Sequence, residues 1–458
     1  MNEQKAPQRH GPSWQTILVI VGVVVLWTGL GMVLNTDGSG SGSYSSYSGP
    51  VLPLTAVSGG EGLEAARYVD FDFSPYETYE PSPITEGELI VTDTYRLTNP
   101  GTTDITARFA YPYEGRFNDE RKYTPVITVD GAEAEATLYT SVDESVAIFR
   151  AADFEDYQKL MTETDYFAQA TAEAPKLDIP VKVYHFTDIT YHGEQDHPYI
   201  FLTMDFKIPK GAHVWVLHFD VLGSDSEAGT HSVWFRDDLD NRDMAYLFVM
   251  NGDVEDLTFG GNLGHNVTKT SALTDVTCEY EVYETTFDKL VWEFAQVYDY
   301  WSFTDEYPNP GLATPEILYQ NAMKRMDDEV TEGYDGITGS TVSAVADAFY
   351  QTITSPRLLY WVFEVTIPAG ETVEVEATYH QEASTDIGGP KKKREGYDMA
   401  TKLGSTLDFT AQSASVSNSD FIEILRQNFG FDLKKNITQV ELDLNVERYY
   451  LDVAVKNE

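Results

Sequence analysis

The sequence predicts a mainly β protein: a single N-terminal transmembrane helix, then two antiparallel β-sandwich-like domains with helical insertions. Three observations lead there. Residues 15–34 form an uncharged, apolar stretch long enough to cross a bilayer. The remainder is rich in Tyr (29) and Phe (23) alongside Val, Ile and Thr, side chains that suit a half-buried pleated surface. Its apolar residues alternate over short runs broken by Pro and Gly, as in strands with one buried face. A chain of 458 residues exceeds one hydrophobic core, so two domains are expected outside the membrane, 51–225 and 226–458.

The apolar stretch Gln15–Leu34 would make roughly 30 Å of helix, the thickness of the hydrocarbon layer. Residues 1–14 carry Lys5 and Arg9 against Glu3, whereas no basic residue follows the stretch until Arg67. Positive flanks stay in the cytoplasm, so the N-terminus is expected inside and the bulk of the chain outside. The stretch is longer than a signal-peptide core and lacks an Ala-x-Ala cleavage site, which favours a retained signal-anchor over cleavage. Residues 35–50 are mostly Gly and Ser and read as a flexible linker with a reach of roughly 20 Å.

The first clear structure is a pair of strands over 88–112. Leu89, Val91, Tyr95 and Leu97 share one parity, Asn99-Pro100-Gly101 marks a turn, and Ile105, Ala107, Phe109 and Tyr111 resume the alternation. This reads as a β-hairpin. The period then changes near 153–174, where Phe154, Tyr157, Leu160 and Met161 stand three and four apart, so one or two short helices are expected. One pattern occurs twice: alternating apolar residues, then Ile208-Pro209-Lys210-Gly211 or Ile367-Pro368-Ala369-Gly370, then Val-x-Val. It reads as a hairpin turn used twice, by domain duplication or as a common local solution. Between the copies, 286–353 reads as a helical insertion: a helix from Phe287, a second opened by Thr314-Pro315-Glu316, and a third from Ser340. The last hundred residues return to strands, with a short helix at Asp420–Asn428.

A net charge of −43 repels nucleic acid and excludes that class of partner. The single cysteine, Cys278, rules out a disulfide scaffold and reads as a small buried hydrophobe. Asp237, Asp238, Asp240 and Asp243 form an acidic loop whose oxygens suit Ca2+, although it lacks the EF-hand spacing and a solvated turn is the plainer reading. The run His192 to His197 offers imidazoles and carboxylates to a divalent ion, or a polar loop to solvent. Lys391-Lys392-Lys393-Arg394 is a basic loop in an acidic chain, suited to ion pairing within the chain or with a partner.

Asp335-Gly336-Ile337-Thr338-Gly339-Ser340-Thr341 resembles the flavin-attachment motif of extracytoplasmic FMN-binding domains, with Ser340 in place of the usual Ala. The resemblance implies covalent FMN on Thr341, with Asp335 as the motif acid. Without it, the same residues read as a turn and an N-cap opening a helix. Neither a Gly-x-Ser-x-Gly elbow nor a His-Glu-x-x-His motif is present. The sequence therefore favours a membrane-anchored extracellular protein of binding, adhesion or assembly, without catalysis, whose partners are surface proteins or glycans. The alternative is an extracytoplasmic enzyme, a carboxylate-based hydrolase or a flavoprotein. A cleft gathering carboxylates and aromatics would favour the hydrolase.

Overall fold

A computed structural model describes residues 44 and 46–456, apart from 81–85, 142–150, 193–199, 218, 226, 237–244, 264–271, 274, 298, 300–311, 332–335, 339–340 and 386–393. The chain is mainly β, arranged in several sheets. Among the described residues no helix is long and apolar enough to cross a membrane, and Gln15–Leu34 lies outside them.

Two facing sheets form an outer module. One has seven strands, in the order Gln439–Glu441, Asp408–Ser417, Glu64–Asp72, Glu88–Thr98, Thr372–Glu382, Val126–Val129 and Ala132–Glu133. The other has four: Thr55–Ser58, Ile105–Gly115, Arg357–Ile367 and Thr137–Thr140. Leu89, Val91, Tyr95 and Leu97 from the first sheet share one buried cluster with Ala107, Phe109, Tyr111 and Phe363 from the second. The alternation read from the sequence marks the face the two sheets share, while over 109–113 the outer face of the second sheet is buried as well. A third sheet, built on Glu395–Ala400 and Arg448–Val455, completes the module.

Two further five-stranded sheets make an inserted module. Phe186, Val214, Val216, Leu247 and Val249 on one sheet pack against Met204, Phe206 and Val233 on the other. Strands Ile200–Lys207 and Thr230–Arg236 lie side by side, so the sheet crosses residue 225. The expected domain boundary at 225/226 therefore does not divide the sheets. The outer module is instead assembled from both ends of the chain, because Ile105–Gly115 pairs with Arg357–Ile367 and Glu88–Thr98 with Thr372–Glu382.

These pairings also correct the hairpins. The strands flanking Asn99-Pro100-Gly101 belong to different sheets, as do those flanking both Ile-Pro-x-Gly turns. Each turn is a corner that carries the chain from one sheet to the facing one. Two of the corners interlock: the Gly370 amide donates to the Asn99 carbonyl at 2.9 Å, and the Asn99 side chain donates to the Ile367 carbonyl at 3.0 Å. Alternation demands one buried face, and a corner supplies it as well as a hairpin does.

Helices form where the period changes. Asp153 and Asp165 cap Phe154–Glu163 and Tyr166–Thr171 by accepting from backbone amides at 3.1 and 2.9 Å. The helices Phe287–Val297, Pro315–Thr331 and Thr341–Thr354 fill the insertion. The helix expected at Asp420–Asn428 is instead a turn and the strand Ile422–Gln427, recruited by pairing with the C-terminal strand Arg448–Val455.

Candidate functional site

The linker read at 35–50 is only partly a linker. From Tyr44 onward it docks as a strap. Tyr44 and Tyr47 are buried, and their hydroxyls donate to the buried carboxylates of Asp452 at 2.5 Å and Asp398 at 2.7 Å. Arg426 and Arg448 hold the same two carboxylates from the other side. Ser46 exchanges backbone hydrogen bonds with Thr385, and Pro50–Val51 adds a parallel strand beside Glu395–Ala400. Gly396 leaves room for Tyr44, since a Cβ there would stand 2.1 Å from the Tyr44 hydroxyl.

The strap crosses the mouth between the two facing sheets and walls a cleft of about 340 Å³. Tyr113 and Glu114 reach it from the end of Ile105–Gly115, Tyr379 and Gln381 from the end of Thr372–Glu382, and Glu86, Arg116, Asp119 and Glu382 form its rim. Pro112 stands opposite Tyr360 of Arg357–Ile367, while pairing with Thr55–Ser58 covers only Arg108 to Ala110 and leaves that other edge of the strand open at 112.

Three polar atoms of these residues are sealed from solvent: the Tyr113 hydroxyl, beside Thr124 and Trp361; Glu114 Oε1, in the carboxyl beside Tyr157; and Gln381 Oε1. Tyr113 is only 4% exposed. Gln381 is oriented by its amide, which donates to the Gly49 carbonyl at 3.1 Å and leaves its oxygen free. Gly49 adopts φ +70°, and a Cβ there would lie 2.1 Å from Glu114 Oε1, so the strap backbone passes directly over the carboxyl.

Electrostatics follow from this enclosure. Burial pushes Glu114 up to about 8, with the Tyr157 hydroxyl acting in the opposite sense, so Glu114 is mostly protonated at neutral pH. Burial also raises Asp119, opposed by Arg116, whose amide donates to Asp119 Oδ2 at 2.6 Å. Glu382 is raised by its enclosure and by Glu86. Neighbouring Glu88 differs: it is half-buried, which opposes its charge, but Tyr123, Lys122 and His380 all bond it and hold it below the usual carboxylate range.

The residues singled out from sequence do not form this site. Asp237, Asp238, Asp240 and Asp243 lie outside the described residues, as do 193–199 and Lys391–Lys393. Thr341 is the first residue of Thr341–Thr354 and follows the short strand Gly336–Thr338, while Asp335 and Ser340 lie outside the described residues. Cys278 is half-buried in the strand Val276–Thr286. Among the described residues no cluster of His, Cys, Asp and Glu has the geometry of a metal site.

No family model and no curated protein matches the chain. Among solved structures it is similar to a proposed nutrient-binding protein of Legionella pneumophila, at 8% identity and a TM-score of 0.32, covering 89% of this chain and 71% of that one. It is also similar to the pilus backbone of Streptococcus pneumoniae, at 11% identity and a TM-score of 0.10, over 76% of this chain and 99% of that one. Similarities this weak assign neither a fold family nor a role.

Proposed function

We propose that this chain is a non-catalytic binding protein of two sandwich-like domains, anchored by residues 15–34 with its bulk outside the cell. In this reading the strapped cleft takes a small polar ligand rich in hydrogen-bond donors. The observation that carries it is the strap-walled cleft itself, lined by the polar residues Tyr113, Glu114 and Gln381 with Glu86, Asp119 and Glu382 among the residues around it. At about 340 Å³, and ~30 Å³ of liquid per water-sized group, the cleft has room for roughly a dozen non-hydrogen atoms.

A second reading has its own support. The cleft gathers carboxylates and aromatics, and Glu114 is protonated at neutral pH, as a general acid must be. Binding is preferred because the nearby Asp119 is engaged by Arg116 rather than free to act as base or nucleophile. The test is thermal denaturation of the full-length chain in detergent against a panel of small polyols, amines and glycosides. Binding predicts that at least one raises the melting temperature by several degrees at millimolar concentration without being consumed, and that Gly49→Ala abolishes the shift. No shift from any compound would end the binding reading, and turnover of a glycoside would replace it with the hydrolase.

A further inference from the structure

We propose that the strand Val276–Thr286 captures an extended basic segment of a partner protein along its exposed edge, as an added β-strand. It uses none of the residues of the cleft. Among the described residues the strand ends its sheet and pairs on one side only, with Pro180–Tyr191. Successive side chains of a strand point to opposite faces, so a strand covered on one face buries every second residue. Here Glu279 to Glu284 are exposed without a break. Tyr280, Val282 and Tyr283 stay 47%, 42% and 43% exposed, although Tyr280 still rests against Tyr184 and Phe186. Length sets this edge apart. Val276–Thr286 has 11 residues, whereas every other described strand at the end of a sheet has six or fewer. Thr55–Ser58, Asp220–Asp225 and Ile422–Gln427 are also broken by bulges. Short and bulged edges deter added strands. The one irregularity of Val276–Thr286, between Thr277 and Glu279, comes before the exposed run, and the run holds no Pro or Lys.

An edge of this kind offers a row of backbone donors and acceptors to another strand, and its side chains choose which one. Glu279, Glu281 and Glu284 make that choice here. Glu281 meets only the imidazole of His185, at 3.1 Å, and Lys182, which stands opposite Glu284, is engaged by Asp253. A second copy would set the same glutamates beside one another, in a chain of net charge −43, and like charges on neighbouring strands repel. A basic strand meets them with the opposite charge. Running antiparallel, it would place Lys or Arg against Glu284, Glu281 and Glu279, and apolar or aromatic side chains against Tyr283, Val282 and Tyr280. The glutamates thus exclude self-pairing and admit a basic partner, which is how charge on an edge gives specificity.

Amide hydrogen exchange of the full-length chain in detergent tests this, with the end-blocked peptide Lys-Tyr-Val-Lys-Val-Lys at millimolar concentration. Exchange within 276–286 is expected to slow by about tenfold, as a few favourable cross-strand pairs imply. The same peptide N-methylated at its Tyr and both Val residues keeps the charge but is spoiled for the ladder on both edges, and should give no slowing. Replacing the exposed glutamates together, Glu279→Lys, Glu281→Lys and Glu284→Lys, should abolish the effect of the basic peptide and transfer it to Glu-Tyr-Val-Glu-Val-Glu. An unchanged melting temperature shows that this variant keeps its fold. Equal slowing by the N-methylated peptide would reduce the contact to charge attraction and overturn the added strand. Slowing that grows with protein concentration in the absence of peptide would make the occupant a second copy and overturn the basic partner. Unchanged exchange with the basic peptide would overturn the edge as a docking site.

Discussion

Two buried acids in this protein show opposite ways of keeping a carboxyl out of water. Asp93 falls on the buried parity of Glu88–Thr98, among Leu89, Val91, Tyr95 and Leu97, and is fully buried. Arg67 bonds it with both Nε and Nη2, at 2.9 and 2.8 Å, and the Tyr95 hydroxyl donates at 2.7 Å. Removing Asp93 leaves a buried guanidinium without its counter-ion, so Asp93→Ala should cost about 3–5 kcal/mol, read as the urea midpoint. Glu114 has no cation and stays neutral instead. Its folded pKa, about 8, lies above that of an unfolded glutamate, so the neutral acid favours folding. That contribution is complete below about pH 4 and is lost as pH rises through 8. Glu114→Gln keeps the neutral shape at every pH. It should match the natural protein at pH 5 and exceed it at pH 9 by on the order of 3–5 kcal/mol in denaturant melts. Equal stability at both values would show that Glu114 is not held neutral.

At the scale of elements, the strap shows where composition misleads. Gly and Ser at 35–50 read as a tether, and nothing local distinguishes residues 44–50 from 35–43 except Tyr44 and Tyr47. What turns them into an anchor is Asp398 and Asp452, each more than 300 residues away in sequence. No window on the chain can display such a partner. The same limit applies to the corners. Asn99-Pro100-Gly101 and Ile367-Pro368-Ala369-Gly370 were legible as turns because Pro and Gly fix backbone angles locally. Which strands they join was not, since pairing is set by the whole sheet. The helices at 153–174 and 286–353 were legible because apolar spacing and caps are local signals. Glu114 was not, being one of 74 acids at the end of an ordinary-looking strand; only Pro112 beside it hinted that the pairing there was incomplete. Replacing Tyr44 and Tyr47 together by Phe removes two hydrogen bonds to charged acceptors, worth about 1.5–3 kcal/mol each. The double variant should leave the global melt cooperative, speed amide exchange in 44–51 and 384–400, and weaken ligand binding in the cleft. Unchanged exchange there would mean that the hydroxyls do not hold the strap.

For the whole molecule, the strap ties the proposed anchor to the proposed site. Only residues 35–43 separate the apolar stretch from Tyr44, and Tyr44 already belongs to the folded unit. A retained anchor would therefore leave nine residues between the bilayer-spanning stretch and the first residue of the folded unit. Topology is therefore a sharp test. With Lys5 and Arg9 inside, protease added to intact cells should digest the chain from outside, leaving a membrane-embedded N-terminal fragment, and an alkaline wash should not release the full-length protein. Deleting 15–34 should release the folded part without altering its melting temperature, because the folded unit begins at Tyr44. Release by alkaline wash alone would show that nothing spans the bilayer. A mature chain beginning between 35 and 43 would show cleavage, leaving the strap and cleft intact but free of the membrane.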